Sequence, residues 1–142
     1  MALTYAFYLL ATHPEVQEEL YTEIQHICGE GELEYSDIPE LSYALCIAYE
    51  TVRLFPFTGS LSQLCQTGQK LVGKYYAPKG VRINLDLVNT QRNKKHWGED
   101  ADEFVPSRFR DPDTLKLKTL PRGLFVVFSD GPRACLGNSS TN

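Results

Sequence analysis

The chain has 142 residues, a length at which one domain can bury a core of its own. Its composition, 42% hydrophobic and 23% charged, is typical of a globular protein and excludes low-complexity disorder. The net charge of −4, with scattered Lys and Arg residues, offers no basic field, so nucleic-acid binding is not expected. The cysteines form no CxxC or Cys/His ligand spacing, which argues against structural zinc and fits a reducing compartment. They are Cys28, Cys46, Cys65 and Cys135.

The first predicted element is the apolar end of a buried helix over Met1–Ala11, closed by Thr12-His13-Pro14. This run is too short to span a bilayer and lacks basic flanks, so no membrane segment is expected in the chain. Pro14 suits the first position of a second helix, which reaches about Cys28 and stops at Gly29. Four glutamates are predicted to face water on that helix: Glu15, Glu18, Glu19 and Glu23.

A polar loop from Gly29 to Pro39 leads to a third, amphipathic helix over Glu40–Leu54. Glu50 and Arg53 stand three residues apart on one face of this helix, where opposite charges attract each other. Surface pairs at this spacing are common and weak. Taken by itself, the pair therefore favours an ordinary solvent-exposed contact.

The pattern then changes to short strand-like runs separated by Gly and Pro, which predicts a small mixed sheet. The predicted strands are Leu61–Cys65, Lys70–Val72, Tyr75–Tyr76 and Val81–Leu87. A short polar helix or turn is expected over Val88–Trp97. The irregular, polar stretch Asp111–Arg122 follows and leads to a strand-like run, Leu124–Phe128.

The most specific pattern lies between Phe128 and Gly137. It fixes Phe, Gly, Arg, Cys and Gly at spacings of 3, 2, 2 and 2, a coincidence expected by chance about once in several million starts. Glycines allow tight turns and close approach, and an arginine two residues before a sulfur can neutralise an acidic group. The pattern suits a thiolate held against a flat macrocycle. The alternative, a Gly-Pro turn with one buried free cysteine, explains Cys135 but leaves the spacing unexplained.

This stretch resembles the cysteine-ligand loop of the cytochrome P450 family. The resemblance implies haem b as cofactor, with Cys135 as the metal ligand and Arg133 paired with a haem propionate. It also implies that Phe128 shields the sulfur from solvent. Gly131 would let the loop turn under the ring, and Gly137 would let the following helix start close to it.

Two further segments resemble the family in the expected order. Glu50-Thr-Val-Arg53 resembles its ExxR helix, and Trp97–Phe109 resembles its W…DA.EF.P.RF stretch. The resemblance implies a buried triad of Glu50, Arg53 and Arg108, with a structural rather than a chemical role. The family's residues that handle dioxygen match no position of this sequence, so no catalytic residue is assigned.

Some positions depart from the family pattern. Gln63 stands where many members have an arginine that reaches the second propionate, and Gln91 stands where many have a histidine. His96 is interpreted as a surface or supporting residue and not as a ligand. After the cysteine loop the chain reads Asn138–Asn142, an atypical polar tail without the apolar stripe of the family's haem-backing helix.

These observations predict a mainly α fold with a small β-sheet (α+β), in which residues 1–142 form part of a cytochrome P450 domain. The implied function is that of a haem-thiolate monooxygenase, which inserts one oxygen atom from O2 into a small organic substrate using an NADPH-dependent reductase. Two alternatives stay open: a truncated, non-catalytic relative that cannot retain haem, and an unrelated binding module. The isolated chain is expected to be inactive. Relatives are often found at the endoplasmic-reticulum membrane, whereas the fragment itself would be cytoplasmic.

Overall fold

The computed structural model describes residues 2–70 and 74–137. Within them lie five α-helices, four short strands and three 3-10 turns, an α+β architecture that confirms the predicted fold class. The helices are α1 (Ala2–Thr12), α2 (Pro14–Cys28), α3 (Ser42–Leu54), α4 (Leu87–Gln91) and α5 (Lys94–Trp97). The strands are β1 (Ser60–Leu64), β2 (Gln69–Lys70), β3 (Tyr76–Ala77) and β4 (Arg82–Asp86). The 3-10 turns are Tyr35–Glu40, Pro106–Phe109 and Gly131–Arg133.

The first two helices meet at the predicted Pro14, which begins α2 where a missing N–H is harmless. The expectation that the first helix is buried is wrong within the described residues, because α1 buries only one side. Leu9 is 5% exposed, whereas Leu3, Phe7 and Tyr8 are 72%, 68% and 60% exposed. One face of α1 packs on the core, and the opposite face is open.

Helix α3 is the centre of the core. Its inward residues Tyr43, Cys46 and Ile47 pack with side chains from α1, α2 and α5 and from the segment that follows α5. The contributing residues are Leu9, Val16, Trp97, Ala101, Phe104 and Phe109. Burial raises the pKa of the Cys46 thiol to about 11, so this cysteine is a neutral core residue. A helix that is buried at its middle and its end is well suited to hold charged groups away from water.

The prediction that all four α2 glutamates face water is wrong for Glu23, because its carboxylate binds the backbone of α3. The side chain is half-buried, and its carboxylate accepts the backbone N–H groups of Tyr43 and Ala44 at 2.6 and 3.0 Å. The helix α3 has no side-chain cap of its own at Leu41. A residue of α2 therefore caps the start of α3.

The strands form two separate antiparallel pairs, β1 with β4 and β2 with β3. Among the described residues the predicted mixed sheet is therefore wrong in its pairing, although each strand predicted between Leu61 and Leu87 that the structure fully describes lies within one residue of an observed one. Gln63 lies opposite Ile83 in the first pair and is exposed. The predicted strand Lys70–Val72 falls partly on residues outside the described ones.

The run Leu124–Phe128 is not a strand. Its backbone makes turns instead, with the Leu124 N–H donating to Pro121 O at 3.1 Å and the Ser129 N–H to Val126 O at 3.0 Å. These turns direct the rings of Phe125 and Phe128 against Tyr49 of α3, at centroid distances of 5.2 and 6.3 Å. Aromatic packing on α3, rather than pairing with another strand, orders this segment. Across the described part of the chain, no helix is both long and apolar enough to cross a membrane.

Candidate functional site

The buried end of α3 carries an ion pair. The Arg53 guanidinium donates to both carboxylate oxygens of Glu50, from Nε at 2.6 Å and from Nη2 at 2.8 Å, and both side chains are 0% exposed. Such fork geometry suits a pair that is removed from water, because it satisfies two donors and two acceptors together. The solvent-exposed contact favoured by spacing alone is therefore not what the chain forms.

The remaining Arg53 donors bind backbone carbonyls. Nη1 donates to Gln91 O and Ala101 O, both at 2.7 Å, and Nη2 donates to Glu103 O at 3.1 Å. All five guanidinium N–H groups therefore have partners, as a buried arginine requires. The guanidinium carbon of Arg53, Cζ, also lies 5.1 Å from the centroid of the Trp97 ring. One side chain of α3 thereby organises the backbone between α4 and the Pro106–Phe109 turn.

Arg108 completes the cluster from that turn. Its Nε donates to Glu50 Oε1 at 3.2 Å, and its side chain is 11% exposed. Burial alone would lower the pKa of Arg108, but hydrogen bonds to Asp100 and Glu50 outweigh it and raise that pKa. The same contact with Arg108 lowers the pKa of Asp100. The structure thus brings Glu50, Arg53 and Arg108 together, with Asp100 as a fourth charged member that the sequence pattern did not single out.

Gln91 is a further member that sequence reasoning noted only as a departure from the family pattern. It is fully buried, its backbone carbonyl accepts from Arg53, and its side-chain Nε2 donates to Leu124 O at 3.1 Å. Through its backbone and its side chain, this residue connects the ion-pair cluster to the segment that leads into the cysteine loop. His96, by contrast, is exposed on α5, at the surface as expected.

The cysteine loop is closed by its own backbone. The Cys135 N–H donates to Phe128 O at 2.8 Å, and the Ala134 N–H donates to Gly131 O at 3.0 Å. Gly131 has φ +79°, a left-handed conformation that glycine adopts without penalty. A Cβ at Gly137 would lie 3.6 Å from the Cys135 sulfur, so any side chain there would pack on the sulfur. These glycines keep the loop tight and the thiol uncovered.

The Cys135 thiol is exposed, whereas the Phe128 ring is half-buried and packs on other aromatic rings. Phe128 contacts Phe57 and Phe125 at centroid distances of 6.0 Å each, in addition to Tyr49. Because Tyr49 directly precedes Glu50, this packing places the loop on the same helix end as the ion-pair cluster. Among the described residues, no three His, Cys, Asp or Glu side chains converge on a possible metal position. Among the described side chains, a metal at this loop would therefore have the Cys135 sulfur as its protein ligand. Its other ligands would have to come from a cofactor that the metal brings with it.

Two predictions fall outside what the structure describes. The backbone of Arg133 lies in the Gly131–Arg133 turn, but its side chain is outside the described part of the chain. The tail Asn138–Asn142 also lies outside the described residues. The assignment of Arg133 to a propionate stays a prediction.

The fold and the site define a mainly helical α+β unit that carries a buried Glu–Arg cluster and an exposed cysteine on a glycine-bounded loop. Comparison with known proteins gives this arrangement a family. The sequence pattern described as Cytochrome P450 matches residues 1–139, and the chain belongs to that family. The resemblance inferred from the motifs is thereby confirmed.

Three relatives from Caenorhabditis elegans illustrate the similarity; all are named as cytochromes P450. CYP13A10 is 37% identical over 138 residues, cyp-13B1 is 35% identical over 137 residues, and CYP13A6 is 33% identical over 138 residues. Each alignment covers 96% of this chain and 26% of the relative. The chain therefore spans about a quarter of the length of the curated relatives it matches.

Proposed function

We propose that the chain is the haem-ligating part of a cytochrome P450 monooxygenase, with Cys135 as the thiolate ligand of haem b. The observation that carries this proposal is an exposed Cys135 thiol on a loop closed by its own N–H bond to Phe128. Membership of the family supports it. The proposal also treats residues 1–142 as part of one cytochrome P450 domain and not as a separate binding module.

The loop fits a flat, metal-bearing group. Thiolate sulfur is a soft, strongly donating ligand of the kind that haem iron accepts. A Cβ at Gly131 would meet nothing within 4 Å, and Gly137 places no side chain on the sulfur. A planar ring can therefore approach Cys135 without first displacing a side chain at these positions.

Each residue of the loop then has a defined task. Haem ligated by a thiolate supplies oxygen-activating chemistry, because electron donation from sulfur favours O–O cleavage. Cys135 would hold the iron, and Arg133 would pair with a propionate. The Phe128 ring, which packs against Tyr49 and Phe57, would keep water away from one side of the sulfur. Small organic compounds as substrates and an NADPH-dependent reductase as electron donor are proposed for the whole protein.

The residues of the ion-pair cluster would take no part in the chemical steps of the reaction. Arg53 holds the carbonyls of Gln91, Ala101 and Glu103, and Gln91 in turn holds the carbonyl of Leu124. This chain of hydrogen bonds would keep the segment before the cysteine loop in one place. Glu50, Arg53 and Arg108 therefore support the site structurally.

The test is spectroscopic. The chain, Cys135→Ala, Cys135→His and the control Cys28→Ala are each reconstituted with haem, reduced and exposed to carbon monoxide. The unaltered chain and Cys28→Ala should show the long-wavelength band of a thiolate-ligated haem, and both Cys135 variants should lose it. A thiolate band that persists in Cys135→Ala would overturn the ligand assignment. Absence of haem uptake by all four proteins would favour the non-catalytic alternative.

A further inference from the structure

Asp130 links the cysteine loop to the segment before it. Arg122 donates from both Nε and Nη2 to Asp130 Oδ2, at 3.1 and 2.9 Å. The other oxygen, Oδ1, accepts the backbone N–H of Gly131 at 2.6 Å. One carboxylate therefore binds an arginine outside the loop and the backbone turn within it.

The residues on either side of Asp130 need such support. Ser129 has φ +65° and Gly131 has φ +79°, so two consecutive changes of chain direction flank the carboxylate. A left-handed conformation is free for glycine but unfavourable for serine, and it persists only where the surroundings impose it. The hydrogen bonds that Asp130 makes to Arg122 and to the Gly131 N–H are contacts that can hold this turn.

The constraint is transmitted to the cysteine through the backbone. Gly131 O accepts the Ala134 N–H at 3.0 Å, and Phe128 O accepts the Cys135 N–H at 2.8 Å. Asp130 lies inside the ring of backbone that this last bond closes. Arg122 and Asp130 also line, with Tyr49 and Phe128, a cavity of about 320 Å³ between the loop and the preceding segment. Breaking the Arg122–Asp130 contact would therefore loosen the backbone around Asp130 and Gly131, near the start of the loop.

The charge state of Asp130 is suited to this task. A hydrogen bond from the Arg122 side chain, followed by one from the Gly131 N–H, lowers the pKa of Asp130. The carboxylate is therefore ionised throughout the neutral range. Both partners are largely exposed, at 87% for Arg122 and 61% for Asp130, so substitutions here spare the core.

We infer that Asp130 is a positioning residue, which anchors the cysteine loop on Arg122 and sets the backbone position of Cys135. Its role toward a haem ligand rests on the proposed function, whereas its role in ordering the loop does not. The ordering of the loop can therefore be tested without haem, separately from the role toward a haem ligand.

The first measurement is hydrogen exchange of the haem-free chain, read on peptides that cover residues 125–137. Asp130→Ala removes both contacts and should speed exchange of this segment by about two- to five-fold, the range expected for weak surface contacts. Asp130→Asn and Arg122→Ala should give smaller increases, because an acceptor for Gly131 remains in each. Arg122→Ala should add nothing further to Asp130→Ala. The matched control is Asp102→Asn, which breaks the exposed Arg92–Asp102 pair and should leave this segment unchanged.

The second measurement distinguishes positioning from general stability. The rate at which Cys135 is alkylated is compared with that of the half-buried Cys28 in the same sample. Asp130→Ala should change the Cys135 rate and leave the Cys28 rate as it is, while the urea unfolding midpoint falls only slightly, as for loss of an exposed ion pair. Unchanged exchange and unchanged alkylation in Asp130→Ala would overturn the inference. Loop effects without any thiolate–haem band in the unaltered chain would retain the inference and refute the proposed function.

Discussion

The backbone N–H of Tyr43 donates a 2.6 Å hydrogen bond to the carboxylate of Glu23, a residue of the preceding helix. The second carboxylate oxygen accepts the N–H of Ala44 at 3.0 Å. The first N–H groups of a helix have no partner within the helix, and a negative group there also suits the helix dipole. The helix α3, which carries the buried ion pair, is therefore anchored at its start by α2.

Removing this cap should destabilise the protein. We expect Glu23→Ala to lower the free energy of unfolding by about 1 kcal/mol, as for loss of other helix caps. Glu23→Gln should cost less, because its amide oxygen still accepts one N–H. Urea unfolding can be followed by the fluorescence of Trp97, the single tryptophan. Glu18→Ala, an exposed change on the same helix, is the control; equal stability of the two alanine variants would contradict the capping role.

Removing the carboxylate of the buried Glu50–Arg53 pair should destabilise the protein far more than removing the Glu23 cap. Glu50→Ala leaves two guanidinium groups, those of Arg53 and Arg108, without their carboxylate, and we expect a loss of about 3–5 kcal/mol. The same urea titration measures it. The matched control is Glu99→Ala, because Glu99 pairs with Lys94 at 3.2 Å but is 93% exposed. That variant should change stability by less than about 1 kcal/mol. A Glu50→Ala protein as stable as the control would show that the cluster is dispensable.

The helices could be predicted closely because their signals are local. Pro14 and Gly29 mark the ends of α2 in the sequence, and helical spacing of apolar residues locates α3. The prediction of a strand over Leu124–Phe128 failed because β-branched and aromatic residues favour a strand only where a neighbouring strand pairs with them. Here the rings pack on Tyr49 instead. Availability of a partner strand is a tertiary property that no local window contains.

The site could be predicted in part. Spacing singled out the cysteine loop. For Glu50 and Arg53, spacing alone favoured a surface contact, and the expectation of a buried triad with Arg108 came from the resemblance to the family. Their burial depends on carbonyl groups at positions 91, 101 and 103, and a carbonyl carries no residue-specific signal. Glu23 was missed for a related reason, since its partners are backbone N–H groups of another helix. Backbone partners are visible only once the fold is known.

The contact between Asp100 and Arg108 should make stability depend on pH. Arg108 holds the pKa of Asp100 below its ordinary value of 3.8, so the folded pKa is lower than the unfolded one. The stabilisation is therefore present above pH 3.8 and is lost as the pH falls through the folded pKa. We expect urea midpoints to decline below pH 3.8 and Asp100→Asn to flatten part of that decline. Three other aspartates with lowered pKa values contribute to the same decline: Asp86, Asp111 and Asp130.

The control for this pH series is Asp113→Asn, an exposed change in the polar loop. It should leave the slope of stability against pH as it is in the unaltered chain. A slope that is the same in Asp100→Asn and in the unaltered chain would show that the Arg108 contact does not favour the ionised form of Asp100.

Gly131 provides the sharpest test of the loop backbone. A Cβ built there meets nothing within 4 Å, so Gly131→Ala creates no clash and isolates the penalty of its left-handed φ of +79°. We expect the free energy for opening the loop, measured by hydrogen exchange at Ala134 and Cys135, to fall by about 1–2 kcal/mol. The matched control is Gly59→Ala, because Gly59 has equal space and no left-handed φ. If both variants protect the Cys135 amide equally, the conformation of Gly131 does not hold the loop closed.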